Sequence, residues 1–259
     1  MNVVIFSTFK PFIKDFIVEQ TNALHSWKNL RCKPKIVIIG NDLGVENICK
    51  KEKVINHKEV KKNEYGTPLV QDIFENGWKY ANENDICIFV NGDIILTNSL
   101  CDGLEKFVKE YPNYNKLNYL ITSIRYDWYN FKQIDFANPN WESHINQDMK
   151  GEYSPPSAID IFIHRKGTIN FIPDYSGIAK MSYDSLIMAH ANKHFDVTIN
   201  ATKIIKIYHQ FGKWYQNNKP CPRKVTRTSE MNTNMAKIKK LMANKNLTKF
   251  WITHCKKTW

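Results

Sequence analysis

The sequence predicts an α/β fold: a mostly parallel, doubly wound sheet with helices on both faces. Two observations carry this. Short apolar runs of strand length alternate with longer segments whose apolar residues recur at helical spacing, and such a β-α-β-α-β order implies parallel strands joined by crossover helices. Polar residues then fall at the carboxyl ends of those strands, as Ser7, Asn41-Asp42 and Asn91 to Asp93, where sheets of this type bind ligands.

Val3–Phe6 reads as the first strand and Phe12–Leu30 as an amphipathic helix. Lys35–Ile39 is a second strand closed by Gly40-Asn41-Asp42, and Val54-Ile55 a short third. Thr67-Pro68 starts the next helix, with Thr67 as cap and Pro68 at the first helical position, where its missing N–H costs nothing. Leu69, Val70, Ile73, Phe74 and Trp78 form that helix's apolar face. The strand Ile86–Val90 follows, broken by Asn91-Gly92-Asp93 and resumed as Ile94–Leu96. Ser99 with Asp102 reads as a capping box for a helix buried through Leu104, Phe107 and Val108. The second half is rich in strands and loops, with strands at Tyr119–Ser123, Ala158–His164, Val197–Ile199 and Lys203–Tyr208 and a helix from Ser182 to about His194. Beyond residue 212 the segment Lys219 to Lys224 is irregular, and Met235 to Leu247 reads as a basic amphipathic helix. The expected organisation is one domain over residues 1–212 and a basic C-terminal extension over 213–259.

At 259 residues, 42% hydrophobic, the chain can bury one sizeable core. No apolar run reaches the roughly 18 residues of a membrane span. The N-terminus enters a strand with no basic leader, so a cytoplasmic protein is expected. The six cysteines are scattered without a CxxC pair, which points to free thiols rather than a disulfide framework or a zinc site. A net charge of +12 suits a polyanion, an anionic membrane face or a phosphate-bearing substrate.

Asn91-Gly92-Asp93 is the most informative motif. An unpaired buried carboxylate is costly, so Asp93 belongs where the strand leaves the core and faces a cleft. A carboxylate beside a glycine that admits a ligand to the backbone suits a hard divalent cation and a diphosphate. An ordinary turn is the alternative, since Asn-Gly and Gly-Asp are turn dipeptides.

Four motifs then fall in one order: Asn-Gly-Asp-Ile after a buried strand, Ser-Ala-Ile-Asp-Ile-Phe at 157–162, Tyr-Asp-Ser-Leu-Ile at 183–187, and Asn-Ala-Thr with Ile-Tyr-His-Gln at 200–210. Over residues 1–212 this order resembles small nucleotide-diphospho-sugar transferases of the GT-A type. The resemblance implies a GT-A-like fold and a hexosyl- or pentosyltransferase. Such an enzyme moves a sugar from a nucleotide-diphosphate sugar to a hydroxyl acceptor on a glycan, assisted by Mn²⁺ or Mg²⁺. The family's acidic motif, often Asp-x-Asp, stands here with one carboxylate. Asp93 would be the metal ligand, and Asn91 would contact the ribose or a metal-bound water. His209 would complete the metal shell or touch the diphosphate; a satisfied histidine at a strand end is the alternative. Asp184 would be the base of an inverting transfer, taking the acceptor proton, or would only complement a helix dipole. Asp160, the other catalytic candidate, would lie near the donor sugar or acceptor, or pair with Arg125 or Arg165. Ser7, Thr8, Phe9, Asp42 and Thr67 would hold the donor nucleotide, with the helix after Thr67 offering its N-terminus; ordinary loop and capping roles compete for each.

The aromatic segment Ser123 to Phe131 offers faces for sugar stacking, with Arg125 and Asp127 for hydroxyls, or else packs a loop onto the sheet; Trp141 and Trp214 carry the same two readings. His190 and His194 have a metal-binding i, i+4 spacing but lack a metalloprotease glutamate and read as helix-face residues. Two other functions compete. A basic nucleic-acid-binding protein fits the charge, but the basic residues are spread out and the ordered cleft motifs would serve nothing, so nucleic acid is not the expected partner. A nucleotidyltransferase making a nucleotide-sugar is disfavoured because Phe6 to Pro11 contains no glycine. The basic extension would make peripheral contact with an anionic membrane carrying the acceptor.

Overall fold

Apolar pentapeptides with every side chain buried build the centre of the protein. Val3–Ser7 (β1) and Ile86–Val90 (β4) lie side by side and parallel, flanked on one side by Lys35–Ile39 (β2) and Ile55–His57 (β3). The computed structural model describes residues 1–13, 16–128, 132–147, 151–180, 182–210, 215–216, 219–220 and 228–259. On the other side of β4 come Ile161–Arg165 (β9), Tyr119–Thr122 (β6), Val197–Asn200 (β10) and Lys257–Thr258 (β14), giving an eight-stranded sheet ordered β3-β2-β1-β4-β9-β6-β10-β14. Only β9 runs against its neighbours, so the sheet is mixed but mostly parallel.

Alternation within the strands separates two apolar faces. Ile86, Ile88 and Val90 point to one cluster, closed by Ile17–Lys28 (α1), Val45–Glu52 (α2) and Ser99–Glu110 (α4). Cys87 and Phe89 point to the other, closed by Val70–Trp78 (α3), Tyr183–His194 (α6) and Ser229–Asn244 (α7). Gly77 lets α3 settle directly on β1, since a Cβ there would lie 2.4 Å from the Phe6 ring.

A second sheet caps the carboxyl end of the first. Ile94–Leu96 (β5), Tyr126–Trp128 (β7), Gly151–Tyr153 (β8) and Ile207–Gln210 (β11) are ordered β5-β11-β7-β8. Trp141–Gln147 (α5) packs Trp141 and Ile145 beneath it against Trp128 and Tyr208. Tyr215–Gln216 (β12) and Lys219–Pro220 (β13) pair as a small hairpin.

Several element bounds differ from the expectation, each for a local reason. Helix α1 begins at Ile17 rather than Phe12, because the Phe12 N–H is used by the Leu43 carbonyl at 2.8 Å. Helix α3 begins at Val70: Leu69 N–H donates to Lys61 and the Pro68 carbonyl accepts from Ile178, so Thr67 and Pro68 belong to an extended loop pairing. The Ser99 hydroxyl does not cap α4; it accepts from the Lys206 N–H at 2.8 Å. The stretch expected to be a strand from Lys203 starts pairing only at Ile207, because Ile204 and Ile205 turn back onto the Ala201 carbonyl. Residues 228–259 share the main layers. Ile238, Met242, Leu247 and Ile252 are buried in the α3–α6 cluster, and β14 extends the main sheet beside β10. Among the described residues no helix is long and apolar enough to cross a membrane.

Candidate functional site

Asp93 sits in the turn between β4 and β5, at the carboxyl end of the main sheet. Two side chains brace the turn, and a third holds one of them. The Ile94 carbonyl accepts from Trp27 Nε1 at 2.9 Å, the Asp93 carbonyl accepts from Gln210 Nε2 at 3.4 Å, and Asn22 holds that glutamine at 2.8 Å. Gly92 is needed for packing: a Cβ there would lie 2.6 Å from both the Thr8 carbonyl oxygen and the Phe9 ring.

Around Asp93 stand charges supplied by the small sheet. His209 on β11 and Asp127 on β7 are register partners, so their side chains share a face. His209 Nε2 lies 3.7 Å from Asp93 Oδ2, and its Nδ1 lies 3.6 Å from Asp127 Oδ1. Lys10 Nζ approaches Asp93 Oδ2 at 3.6 Å, its backbone clamped at both ends by the Gln20 amide. Burial opposes ionisation of Asp93, but the charges of His209, Lys10 and Arg125 outweigh it and hold its pKa below the ordinary carboxylate range. Burial alone would lower the pKa of His209; Asp93 and Asp127 reverse this and raise it.

Arg125 joins this group to a second one. Its Nε donates to Asp127 at 3.0 Å and to Ser154 at 3.1 Å, and its Nη1 donates to Asp160 at 2.8 Å. Of the two partners expected for Asp160, Arg125 is the one found, while Arg165 turns to the Leu117 carbonyl and Asn118. The other Asp160 oxygen accepts from Asn91 Nδ2, and Asn91 Oδ1 accepts from the Tyr183 hydroxyl at 3.3 Å. Asp184 follows on the first turn of α6. Burial and the nearby charge of Asp160 raise its pKa to about 6, against the bond it accepts from Ser185 N–H. The structure therefore links Asp93, His209, Asn91 and Asp160 through Asp127 and Arg125, and sets Asp184 beside Tyr183 within the field of Asp160.

Among the described residues no three His, Cys, Asp or Glu side chains are arranged to hold a metal by themselves. The pair Asp93 and His209 nevertheless fits two ligands of one ion. Their facing atoms are separated by a gap that two bonds of about 2.1 Å span at an open angle, and the far nitrogen of His209 faces a carboxylate, as ring nitrogens of ligating histidines do.

The remaining expected residues are placed elsewhere. The Ser7 hydroxyl is buried and donates to the Val90 carbonyl at 2.6 Å, tying β1 to β4. Phe9 is buried and stacks on Trp27. Thr8, half-buried, lies between them near Gly40. Asp42 faces Lys62 at 3.5 Å. Thr67 packs against Gly177 in the loop before α3. His190 stacks on Phe171 and touches His194, as helix-face residues do. Trp128 and Trp141 are buried in packing, whereas Tyr129 to Phe131 and Trp214 lie outside the described residues. The alignment of Asp127 and Ser154 with His209 and Arg125 was not anticipated. Its only trace in sequence is the Arg125-x-Asp127 spacing, which places both side chains on one face of a strand.

No known family model and no curated protein sequence matches the chain. Its fold is shared with solved glycosyltransferase structures. S. aureus TarS residues 1–349 with UDP-GlcNAc match 96% of this chain with a TM-score of 0.55 at 12% identity. GalNAc-T7 with UDP, GalNAc and Mn²⁺ matches 94% with a TM-score of 0.51, also at 12% identity. The chain spans 22% of a longer TarS chain, 67% of the 1–349 fragment and 49% of GalNAc-T7. The α/β architecture expected from the sequence is thus the architecture found.

Proposed function

We propose that this protein is a glycosyltransferase that moves a sugar from a nucleoside-diphosphate sugar to a hydroxyl acceptor. The observation that carries this reading is the meeting of two kinds of carboxylate at one end of the sheet. Asp93 is held ionised between His209 and Lys10, while Asp184 has a pKa raised to about 6. A divalent cation held by Asp93 and His209 would supply positive charge against the departing diphosphate. Lys10 would add a cation at the same oxygens. Asp184 would accept the acceptor hydroxyl proton as that oxygen attacks the anomeric carbon. The bond to the diphosphate breaks as the new glycosidic bond forms, inverting the configuration. Asp160, already engaged by Arg125 and Asn91, would orient rather than react. A base with a pKa near 6 is ionised at neutral pH yet basic enough to take a proton in a transition state.

The test is nucleoside-diphosphate release from a panel of nucleotide-sugars, with and without Mn²⁺, by the intact chain and by Asp93→Asn and Asp184→Asn. Release that both substitutions suppress supports the assignment. No release and no thermal stabilisation by any nucleotide would sink it. Pyrophosphate release from a nucleoside triphosphate and a sugar phosphate would move the chain to the nucleotidyltransferases.

A further inference from the structure

A cavity opens where the loop before α3, the segment preceding α6 and the first turns of α7 meet. It holds about 270 Å³. Tyr65 and Tyr175 line it together with Asn63, Asp174, Glu230 and Lys237. Tyr65 is 53% exposed, so its ring is open to a ligand. Tyr175 is held by the Lys237 ammonium 5.0 Å from its ring centre.

Two features make this a built site rather than a surface dent. Its floor is fixed: Glu230 accepts from Asn63 at 2.7 Å and pairs with Lys180 at 2.9 Å. Gly177 approaches that floor so closely that a Cβ would lie 2.9 Å from Thr67 and 3.1 Å from Glu230. Its wall also leads to the candidate base. The strap carrying Asp174 and Tyr175 is fastened by Val70 N–H to the Ser176 carbonyl and by Ile178 N–H to the Pro68 carbonyl, both at 2.9 Å, and in sequence it precedes α6, whose first turn holds Asp184.

We infer that this cavity binds an uncharged saccharide unit of the acceptor, beyond the sugar that receives the transfer. The inference rests on the transferase reading and names the acceptor's chemistry. Aromatic faces cover the C–H faces of a sugar ring, and amides and carboxylates bind its hydroxyls. The lining excludes anionic units. Glu64 and Asp174 outnumber Lys237, while Glu230 and Lys180 neutralise each other; a phosphate or uronate there would meet net like charge. In a chain of net charge +12, this acidic lining is a local departure from the basic surface.

The experiment is saturation-transfer NMR on the full chain with methyl glycosides of glucose, galactose and N-acetylglucosamine, and with methyl glucuronide as the charged control. The variants are Tyr65→Ala, whose ring is largely in solvent, and Asp174→Asn. Uncharged glycosides bind, the glucuronide does not, and Tyr65→Ala weakens binding about three- to tenfold. Donor cleavage without acceptor stays unchanged in the same variant. No glycoside binding, binding indifferent to both substitutions, or equal binding of the glucuronide overturns the inference. Failure of the transferase reading shows separately, as absence of donor cleavage in the unaltered chain, because the NMR measurement needs no donor.

Discussion

Arg125→Met is the most informative single change. The guanidinium bonds Asp127 and Asp160 at once, and the three side chains are 16%, 19% and 8% exposed. Met keeps the aliphatic stem and removes the charge, leaving two largely buried carboxylates facing each other's field. Breaking a buried pair from one side costs about 3–5 kcal/mol. Partial exposure puts this case near the low end, about 3 kcal/mol. For a chain of this size that lowers the melting temperature by about 6–12 °C. The assay is urea or thermal unfolding at pH 7, run as a cycle with Asp127→Asn/Asp160→Asn. In that background the carboxylates no longer carry charge, so Arg125→Met costs about 1 kcal/mol or less. Equal cost in both backgrounds would refute the claim that Arg125 acts by neutralising these carboxylates and would leave only its packing.

Three further outcomes are expected. Gly92→Ala drives a methyl into the Thr8 carbonyl and the Phe9 ring at 2.6 Å and lowers stability by about 1–3 kcal/mol; an unchanged melting temperature would show that the turn yields easily. Burial raises the Asp184 pKa to about 6, and the base must be ionised, so transfer rises as pH increases through about 6; Asp184→Asn lowers turnover about 10²–10⁴-fold, and a normal acidic limb in the variant would remove Asp184 as the base. Ile238→Ala on α7 costs about 2–5 kcal/mol because that side chain is fully buried against the main sheet, whereas an independent extension would leave the melting of the rest unchanged.

What was legible in sequence was what depends on local period and on polar interruptions. The strands from Val3, Lys35, Ile86 and Tyr119 are continuous apolar runs flanked by turn residues, and the structure places them as read. Asp93 and Asp160 each break an apolar strand, and both enter one hydrogen-bonded network; Asp184 stands out only through the resemblance of Tyr183-Asp184-Ser185-Leu186 to a family segment. Long-range pairing was not legible. Nothing in the sequence states that β11 would lie beside β7, so the facing of His209 and Asp127 was invisible, as was the attachment of β14 to β10. Ser7 and Phe9 also stand at a strand end, where the Ser7 hydroxyl ties β1 to β4 and the Phe9 ring stacks on Trp27 of α1. The reading of Ser99 as a cap failed because a backbone N–H from Lys206, over a hundred residues away, took the hydroxyl.

The bond from Asn91 to Asp160 has a consequence for descent. An aspartate at 91 would create an Asp-x-Asp sequence but would set two carboxylates where one amide now donates, and one of them would have to take up a proton. An acid at 91 is therefore accommodated either by a proton shared with Asp160 or by a change at 160. Giving up the acid at 160 to relieve that proton would also remove one of the two carboxylate partners of Arg125.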